Sequence, residues 1–323
     1  MRIAFLGTPE VAVPALQALV AAEDVEVVAV ITNPDRAKGR SKRPIPPPVK
    51  VAAEAAGLPV WQPGKPREVL DDLRDLDVEA CAVVAYGALL PQDVLEAGGR
   101  GFVNLHFSLL PRWRGAAPVQ HALRAGDAET GVTTFVLDRG MDTGPVLQRV
   151  PVAIDPSESA GELLDRLALI GAPVLLDSLR DLVGGVSPVP QPEEGATLAP
   201  KITQEDVVID FAAPCRSVID LVRSADPAPG AHTRFRGRRL KVLRAIPAEA
   251  HEPEPDAAVP SPGTVIETRK DGVVVACGDG AIRLDVVQPE GKPRMDGAAF
   301  ANGYRPEPGE RLGAPTATDG SDS

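Results

Sequence analysis

Hydrophobic and polar positions follow two different periods in the first half of the chain. Residues 2–6 are a short apolar run that ends at Gly7, and residues 11–19 then repeat apolar side chains at helical spacing. This order predicts a strand, a turn and a helix. Further runs typical of strands follow at residues 25–31, 80–84, 102–107 and 132–137. Strands that alternate with helices predict a doubly wound, mostly parallel α/β sheet.

The pattern changes near residue 188. Residues 187–195 are rich in proline and glutamate and show no periodicity, which is typical of a linker. A helix near residues 216–224 is then followed by several short strands with glycine turns, and these predict a small β-barrel. We therefore expect a first domain over residues 1–188, a linker over 189–206, a barrel over 207–312 and a flexible tail over 313–323.

Composition and charge narrow the class of protein. The 323 residues fit two domains, and 34 basic against 45 acidic residues give a net charge of −11, so a polyanionic partner would need local basic patches. No apolar run approaches the roughly 20 residues that span a bilayer, and the first apolar run is too short for a signal peptide. The three cysteines are far apart in the sequence, which suits a reducing compartment. We expect a cytoplasmic protein without membrane contact.

The strongest candidate chemistry lies on the strand predicted at residues 102–107. A period of two places Asn104 and His106 on one face, at the carboxyl end of the strand, where open α/β sheets bind ligands. The glycine-rich loop 137–145 follows another predicted strand of the sheet and supplies a carboxylate, for which we choose Asp142 with Asp138 as the rival. The alternative is a structural histidine beside an ordinary turn.

These three side chains suit acyl transfer to an amine without a covalent nucleophile. A carboxamide can donate a hydrogen bond to an oxyanion, an imidazole can move a proton near neutral pH, and a carboxylate can orient the imidazole. Other chemistries lack support. Gly7-Thr8-Pro9 does not continue as a dinucleotide-binding glycine motif, the phosphate-loop and nucleophile-elbow motifs are absent, and no pair of the four histidines has metal-ligand spacing, so no metal is expected.

Residues 104–118, NLHFSLLPRWRGAAP, closely resemble the methionyl-tRNA formyltransferase family. Other stretches agree in order and spacing, among them Gly7-Thr8-Pro9, Ala85-Tyr86-Gly87, Asp142-Thr143-Gly144 and Lys201-Ile202-Thr203. The resemblance implies a Rossmann-like formyltransferase domain followed by an OB-like β-barrel that binds tRNA. It also implies transfer of the formyl group of 10-formyltetrahydrofolate to the α-amine of methionyl initiator tRNA, for translation initiation. No protein partner is implied, and we expect a monomer.

The resemblance also implies roles for individual residues. It assigns Asn104, His106 and Asp142 to the catalytic positions. It assigns two segments to the folate pocket, and these comprise Ser108, Leu109, Leu110 and Pro111 together with Tyr86, Gly87, Leu89 and Leu90. Without the resemblance, the apolar residues of the first segment would be read as packing of a turn.

Two basic clusters could contact a polyanion. The first lies in a Gly/Pro-rich loop over residues 34–50 and contains Arg36, Lys38, Arg40, Lys42, Arg43 and Lys50. The resemblance implies that this loop meets the tRNA acceptor stem, with Arg40 at its most important position. The second cluster alternates along two predicted barrel strands and contains Arg234, Arg236, Arg238, Arg239, Lys241 and Arg244. Ordinary solvated surfaces are the alternative for both.

Two other functions compete with this one. A glycinamide ribonucleotide formyltransferase or a formyltetrahydrofolate hydrolase would share the catalytic trio. The first has no use for a barrel with a cationic face, and hydrolase domains are commonly fused to larger modules. A non-catalytic nucleic-acid-binding protein would bind tRNA and form no formyl product.

Overall fold

The computed structural model describes residues 1–37, 44–248 and 260–313. The strands are β1 (Arg2–Gly7), β2 (Glu26–Ile31), β3 (Arg36–Ala37), β4 (Pro44–Ile45), β5 (Val60–Trp61), β6 (Ala80–Val84), β7 (Phe102–His106), β8 (Glu129–Val136), β9 (Val146–Ala153), β10 (His232–Phe235), β11 (Arg238–Pro247), β12 (Val265–Arg269), β13 (Gly272–Cys277), β14 (Gly280–Pro289) and β15 (Met295–Asp296). The helices are α1 (Val13–Ala21), α2 (Pro48–Ala55), α3 (Leu70–Asp75), α4 (Gln92–Leu95), α5 (Pro118–Arg124), α6 (Ala160–Val183), α7 (Cys215–Ser224) and α8 (Gly297–Tyr304).

The chain forms two compact units. The first comprises residues 1–118, 129–154 and 163–200, and the second comprises residues 119–128, 155–162 and the described residues from 201 onward. Within the described ranges, no helix combines the length and the apolar composition that a membrane span requires. The predicted flexible tail lies, from residue 314 onward, outside the described residues.

The first unit is built on a seven-stranded sheet in the order β5-β2-β1-β6-β7-β8-β9. The first five strands of this order run parallel to one another, and β6 is buried along its whole length, as expected for a strand covered on both faces. The predicted mostly parallel α/β sheet is confirmed. The expectation that residues 132–137 belong to its parallel part is wrong, because β8 runs antiparallel to β7. An apolar run indicates burial and carries no information about strand direction.

The strand order places a switch point beside β1. From β1 the chain builds outward to β2 and β5 on one side, and then to β6 and β7 on the other. The loops that leave the carboxyl ends of β1 and β6 therefore diverge and open a crevice at that edge of the sheet, which is where doubly wound sheets bind ligands. Strand β7 is next to β6, so its carboxyl end lies at the same edge.

The second unit is an antiparallel sheet in the order β10-β11-β14-β13-β12, with β15 paired to β14. The segment 311–312 bridges both edges of this sheet, since Leu312 pairs with Phe235 and Arg311 pairs with Thr264. This bridging closes the sheet into the small β-barrel that the strand pattern predicts. Phe300 of α8 fills the core and packs edge-on against Phe235, with ring centroids 5.6 Å apart.

Hydrogen bonds hold residues 189–199 on the first unit. Val189 and Val146 exchange two backbone hydrogen bonds of 2.7 and 2.8 Å. Arg114 donates its backbone N–H to the Thr197 carbonyl at 2.9 Å, and its own carbonyl accepts from Ala199 at 2.7 Å. The proline-rich stretch that we predicted as the start of a linker is therefore part of the scaffold around the loop that follows β7.

Candidate active site

Two of the predicted catalytic residues lie on β7, where strand alternation directs both side chains to the same face. Asn104 is half-buried and His106 is only 5% exposed. Asn104 pairs with Val83 of β6, so both residues lie at the edge where the parallel strands end. In the part of the chain that the structure describes, the Asn104 carboxamide has no hydrogen-bond partner. Its N–H groups are therefore available to a bound substrate.

Three neighbours surround the imidazole of His106, one at each ring nitrogen and one aromatic ring. Nε2 lies 2.9 Å from the carbonyl oxygen of Trp113, and a carbonyl can only accept, so this nitrogen carries a hydrogen. Nδ1 lies 3.6 Å from Oδ2 of Asp142. The ring packs edge-on against Phe135, with centroids 6.3 Å apart. In the neutral ring, the Nδ1 lone pair therefore faces the carboxylate. A proton taken up by Nδ1 would lie between this nitrogen and Oδ2 of Asp142.

Asp142 has an unusual backbone conformation, and its carboxylate is held by a hydrogen bond from a glycine. Its φ is +54°, in the left-handed region that non-glycine residues seldom occupy. Oδ2 accepts a 2.7 Å hydrogen bond from the Gly115 backbone N–H. Gly115 has φ +127°, and a Cβ added there would lie 2.7 Å from the Ala199 carbonyl oxygen, so the donor position requires glycine. The structure therefore brings Asn104, His106 and Asp142 together.

The route by which Asp142 reaches the imidazole differs from our expectation. Because β8 is antiparallel to β7, it ends beside the start of β7, where Leu137 donates to the carbonyl of Phe102. The loop between β8 and β9 then runs back along β7 to bring Asp142 to His106. The rival Asp138 is exposed and accepts hydrogen bonds from Gly140 and Thr143 within the loop itself.

Thr133, which is fully buried, holds the turn after β7 through two hydrogen bonds. Its hydroxyl donates to the Ser108 carbonyl at 2.7 Å and accepts from the Leu110 N–H at 3.1 Å. Ser108 is also buried and donates to the Arg112 carbonyl at 2.7 Å, while Leu110 packs into a small core cluster. The side chains of Ser108 and Leu110 therefore shape the turn, and only Leu109 and Pro111 are half-buried at its surface.

The second predicted folate segment follows β6. The carbonyl of Tyr86 accepts hydrogen bonds from Thr8 Oγ1 at 3.0 Å and from Asn33 Nδ2 at 2.8 Å, so the ends of β1, β2 and β6 are tied together. Burial raises the pKa of the Tyr86 phenol. The remaining predicted residues of this segment are more open, with Leu89 82% exposed, Gly87 exposed and Leu90 half-buried. This loop presents apolar surface at the same edge as β7.

The base of the first basic cluster is a short hairpin formed by β3 and β4, in which Arg36 is exposed. Lys38, Arg40, Lys42 and Arg43 lie outside the described residues. Lys50, which the sequence analysis counted with them, is bound by the Asp35 carboxylate at 3.0 and 3.1 Å. Hydrogen bonds from Gln62 and Lys50 lower the pKa of Asp35. Lys50 therefore anchors the hairpin and has its charge matched within the protein.

The second basic cluster divides between two environments. On the barrel, Arg234 of β10 pairs with Arg239 of β11, and His232 pairs with Lys241, so these four side chains share one face. Burial lowers the pKa of His232, and the neighbouring cations lower it further. Arg239 Nε is buried without a hydrogen-bond partner among the described residues. This face concentrates positive charge.

The other members of that cluster lie elsewhere. Arg236 follows β10 and makes two hydrogen bonds of 2.8 Å to the Glu310 carboxylate, which lowers the pKa of Glu310. Arg238 is exposed at the start of β11, opposite the buried Phe235. Arg244 faces Asp285 at 3.7 Å. We therefore place the local excess of positive charge on the face that carries Arg234, Arg239 and Lys241.

Three features of the site were not anticipated from the sequence. They are the Trp113 carbonyl at His106, the Gly115 N–H at Asp142, and the side chain of Gln191, which contacts the Asp142 loop. The first two follow β7 within the segment that resembles a known family, whereas Gln191 is in the stretch predicted as a linker. Across residues 1–37, 44–248 and 260–313, no three His, Cys, Asp or Glu side chains form a group that could hold a metal ion.

Comparison with known families identifies the class of protein. The family model of formyl transferase matches residues 1–179, and the model of the formyl transferase C-terminal domain matches residues 201–305. Among solved structures, the N-formyltransferase from Helicobacter canadensis in complex with folinic acid and dTDP-3-aminofucose superposes with a TM-score of 0.67 at 15% identity, over 87% of this chain and 98% of its own. HypX from Aquifex aeolicus in complex with tetrahydrofolic acid gives 0.64 at 18% identity, over 94% of this chain and 47% of its own. The chain is a formyltransferase in fold and in family.

Relatives with higher sequence identity show which formyltransferase family the chain belongs to. Methionyl-tRNA formyltransferase of Streptomyces coelicolor is 49% identical over 97% of this chain and 100% of its own length. The Thermobifida fusca methionyl-tRNA formyltransferase is 48% identical over 97% of this chain and 99% of its own. The chain belongs to the methionyl-tRNA formyltransferase family, the enzymes that formylate initiator methionyl-tRNA in translation initiation. The family and the enzymatic activity predicted from the sequence are confirmed.

Proposed function

We propose that the site at the end of β7 transfers the formyl group of 10-formyltetrahydrofolate to the α-amino group of methionyl initiator tRNA. The observation that supports this most strongly is the grouping of Asn104, whose carboxamide has no hydrogen-bond partner among the described residues, with the buried His106 and the half-buried Asp142. A carboxamide donor beside an imidazole and a carboxylate supplies what an acyl transfer to an amine requires.

The surroundings of the site fit a flat, polar folate donor. The loops after β6 and β7 leave adjacent parallel strands, so they border the same crevice. They offer apolar surface from Leu89, Leu109 and Pro111 together with backbone groups, a combination typical of small-molecule sites. We therefore assign the donor's binding site to residues 86–90 and 108–111.

Asn104 acts on the charge that develops during transfer. As the amine nitrogen bonds to the formyl carbon, negative charge grows on the formyl oxygen. The Asn104 N–H groups have no competing acceptor among the described residues, so they can stabilise that charge without first breaking a bond within the protein. Removal of one such donor commonly lowers turnover about a hundredfold or more.

His106 and Asp142 handle the proton. The hydrogen on Nε2 is committed to the Trp113 carbonyl, which leaves Nδ1 as the basic atom of the ring. Nδ1 accepts the proton lost by the attacking amine, and the Asp142 carboxylate beside it stabilises the protonated ring. The protonated ring can then return a proton to the folate nitrogen when its bond to the formyl carbon breaks. Atoms therefore balance without an outside acid or base.

The barrel supplies a surface for the tRNA. The face that carries Arg234, Arg239 and Lys241 can contact phosphates, and the exposed Arg36 at the base of the β3–β4 hairpin can contribute a second contact. We propose residues 1–188 as the formyltransferase domain and residues 207–312 as the tRNA-binding domain.

Single-turnover kinetics of two variants test this proposal. Asn104→Ala and His106→Ala should each lower the formylation rate by about a hundredfold or more, while the dissociation constant for methionyl initiator tRNA changes little. Thermal unfolding of each variant checks that the fold is intact. Rates close to wild type in both variants would overturn the assignment of these residues.

A further inference from the structure

Gln191 makes four hydrogen bonds beside the catalytic carboxylate. Its Nε2 donates to the carbonyl oxygens of Asp142 at 2.9 Å and Gly144 at 2.8 Å. Its Oε1 accepts from Nε and Nη2 of Arg114 at 3.2 and 3.0 Å. Arg114 is itself buried at 6% exposure. A single amide therefore joins the loop after β8 to the segment after β7.

The chemistry of these partners requires an amide at this position. Carbonyl oxygens only accept hydrogen bonds and a guanidinium only donates them, so the bridging group must donate on one side and accept on the other. A carboxylate at Gln191 would place an oxygen against two carbonyl oxygens, and an aliphatic side chain would leave all four groups without their partner. The partners also settle which end of the amide is nitrogen.

This bridge acts on a strained residue. Asp142 has φ +54°, a conformation that costs free energy for a residue with a side chain and persists only where the surroundings hold it. Two hydrogen bonds from described residues hold Asp142, namely one from the Gln191 amide to its carbonyl and one from the Gly115 N–H to its carboxylate. Loss of the first would let the backbone relax and would turn the carboxylate away from Nδ1 of His106, which lies only 3.6 Å away.

We propose that Gln191 is a positioning residue for formyl transfer, and that it acts by fixing Asp142 in the conformation that presents its carboxylate to His106. The inference rests on the proposed function, because it assigns Gln191 a role through the same proton-accepting pair. Gln191 makes no hydrogen bond to the imidazole among the described residues, so the role that we assign to it is exerted through Asp142.

The kinetic signature follows from that indirect role. Gln191→Leu should lower the single-turnover rate about tenfold while the KM for each substrate stays within about twofold, since the chemical step and not binding is affected. Gln191→Glu, which keeps the length of the side chain, should not restore the rate. The control is Glu194→Gln, an exposed residue three positions further along the same segment, which should match wild type.

A double-mutant cycle separates positioning from general packing. In an Asp142→Asn background, Gln191→Leu should change the rate by less than about twofold, because the carboxylate through which it acts is already absent. A further tenfold loss in that background would overturn the inference. The inference also fails if Gln191→Leu and Gln191→Glu both turn over at the wild-type rate.

The His106→Ala variant, measured in the same assay, separates the two claims. If His106→Ala is inactive and the Gln191 variants are normal, only the present inference fails. If His106→Ala is as active as wild type, the proposed function itself fails. Thermal unfolding is followed throughout, and Gln191→Glu carries the test if Gln191→Leu does not fold.

Discussion

Replacement of Asp142 by asparagine isolates the charge that faces His106. The two side chains have the same size, and the new amide oxygen can keep the 2.7 Å hydrogen bond from Gly115. Oδ2 is also the oxygen that lies 3.6 Å from Nδ1, so the amide oxygen would take that position without a full negative charge. The substitution therefore removes the charge that stabilises a protonated ring and keeps the geometry of the contact.

The magnitude follows from the geometry. For unit charges 3.6 Å apart, Coulomb's law with an effective dielectric constant of about 20 gives roughly 5 kcal/mol. His106 and Asp142 are both largely buried, so solvent screens this pair weakly. At about 1.4 kcal/mol per tenfold change in rate, full loss of this interaction in the transition state would slow formyl transfer by about a few thousandfold. We expect a loss of about a hundredfold to a thousandfold, because the neutral amide recovers part of the interaction.

The assay is single-turnover formylation of methionyl initiator tRNA with saturating 10-formyltetrahydrofolate. Asp138→Asn is the matched control, because Asp138 is on the same loop, is exposed, and accepts its hydrogen bonds within the loop. It should stay within about twofold of wild type. The reasoning is refuted if Asp142→Asn retains more than about a third of the wild-type rate, or if Asp138→Asn loses as much activity as Asp142→Asn.

Three further predictions test other parts of the protein. Arg239→Gln should raise the tRNA dissociation constant and lower the slope of its logarithm against log salt by up to about one, and Lys270→Gln on the β12–β13 turn should leave both unchanged. Thr133→Val leaves two buried backbone groups without partners, so urea unfolding should show a loss of about 2–4 kcal/mol. Asp35→Asn should lower the thermal unfolding midpoint at pH 7 and should lower it less at pH 3. A carboxylate with a lowered pKa stabilises the fold above its ordinary pKa and loses that contribution as the pH falls.

Part of the site could be predicted from local sequence pattern. Alternation over residues 102–107 was enough to place Asn104 and His106 on one face, because the period of a strand is fixed by its backbone. The buried parallel strands could be predicted equally well, since short apolar runs such as residues 80–84 are typical of strands that are covered on both faces. Both features depend on residues close together in the chain.

The remainder depends on contacts between residues far apart in the chain. The direction of β8 cannot be read from an apolar run, so the path that brings Asp142 to His106 required the structure. Gln191 is 49 residues from Asp142 and 77 from Arg114 along the chain, and it lies in a stretch with no periodicity. Its partners are backbone carbonyls and a single guanidinium, and no local sequence motif predicts such a bridge.

The central claim is that the β7 site moves a formyl group from folate to the aminoacyl end of a tRNA. It is tested most directly with 10-formyltetrahydrofolate labelled in the formyl group, offered to the wild-type enzyme with methionyl initiator tRNA or with glycinamide ribonucleotide. We predict that the label appears on the α-amine of methionine, and that His106→Ala abolishes this transfer in the same reaction. Label recovered in formylated glycinamide ribonucleotide, or in free formate alone, would contradict the account.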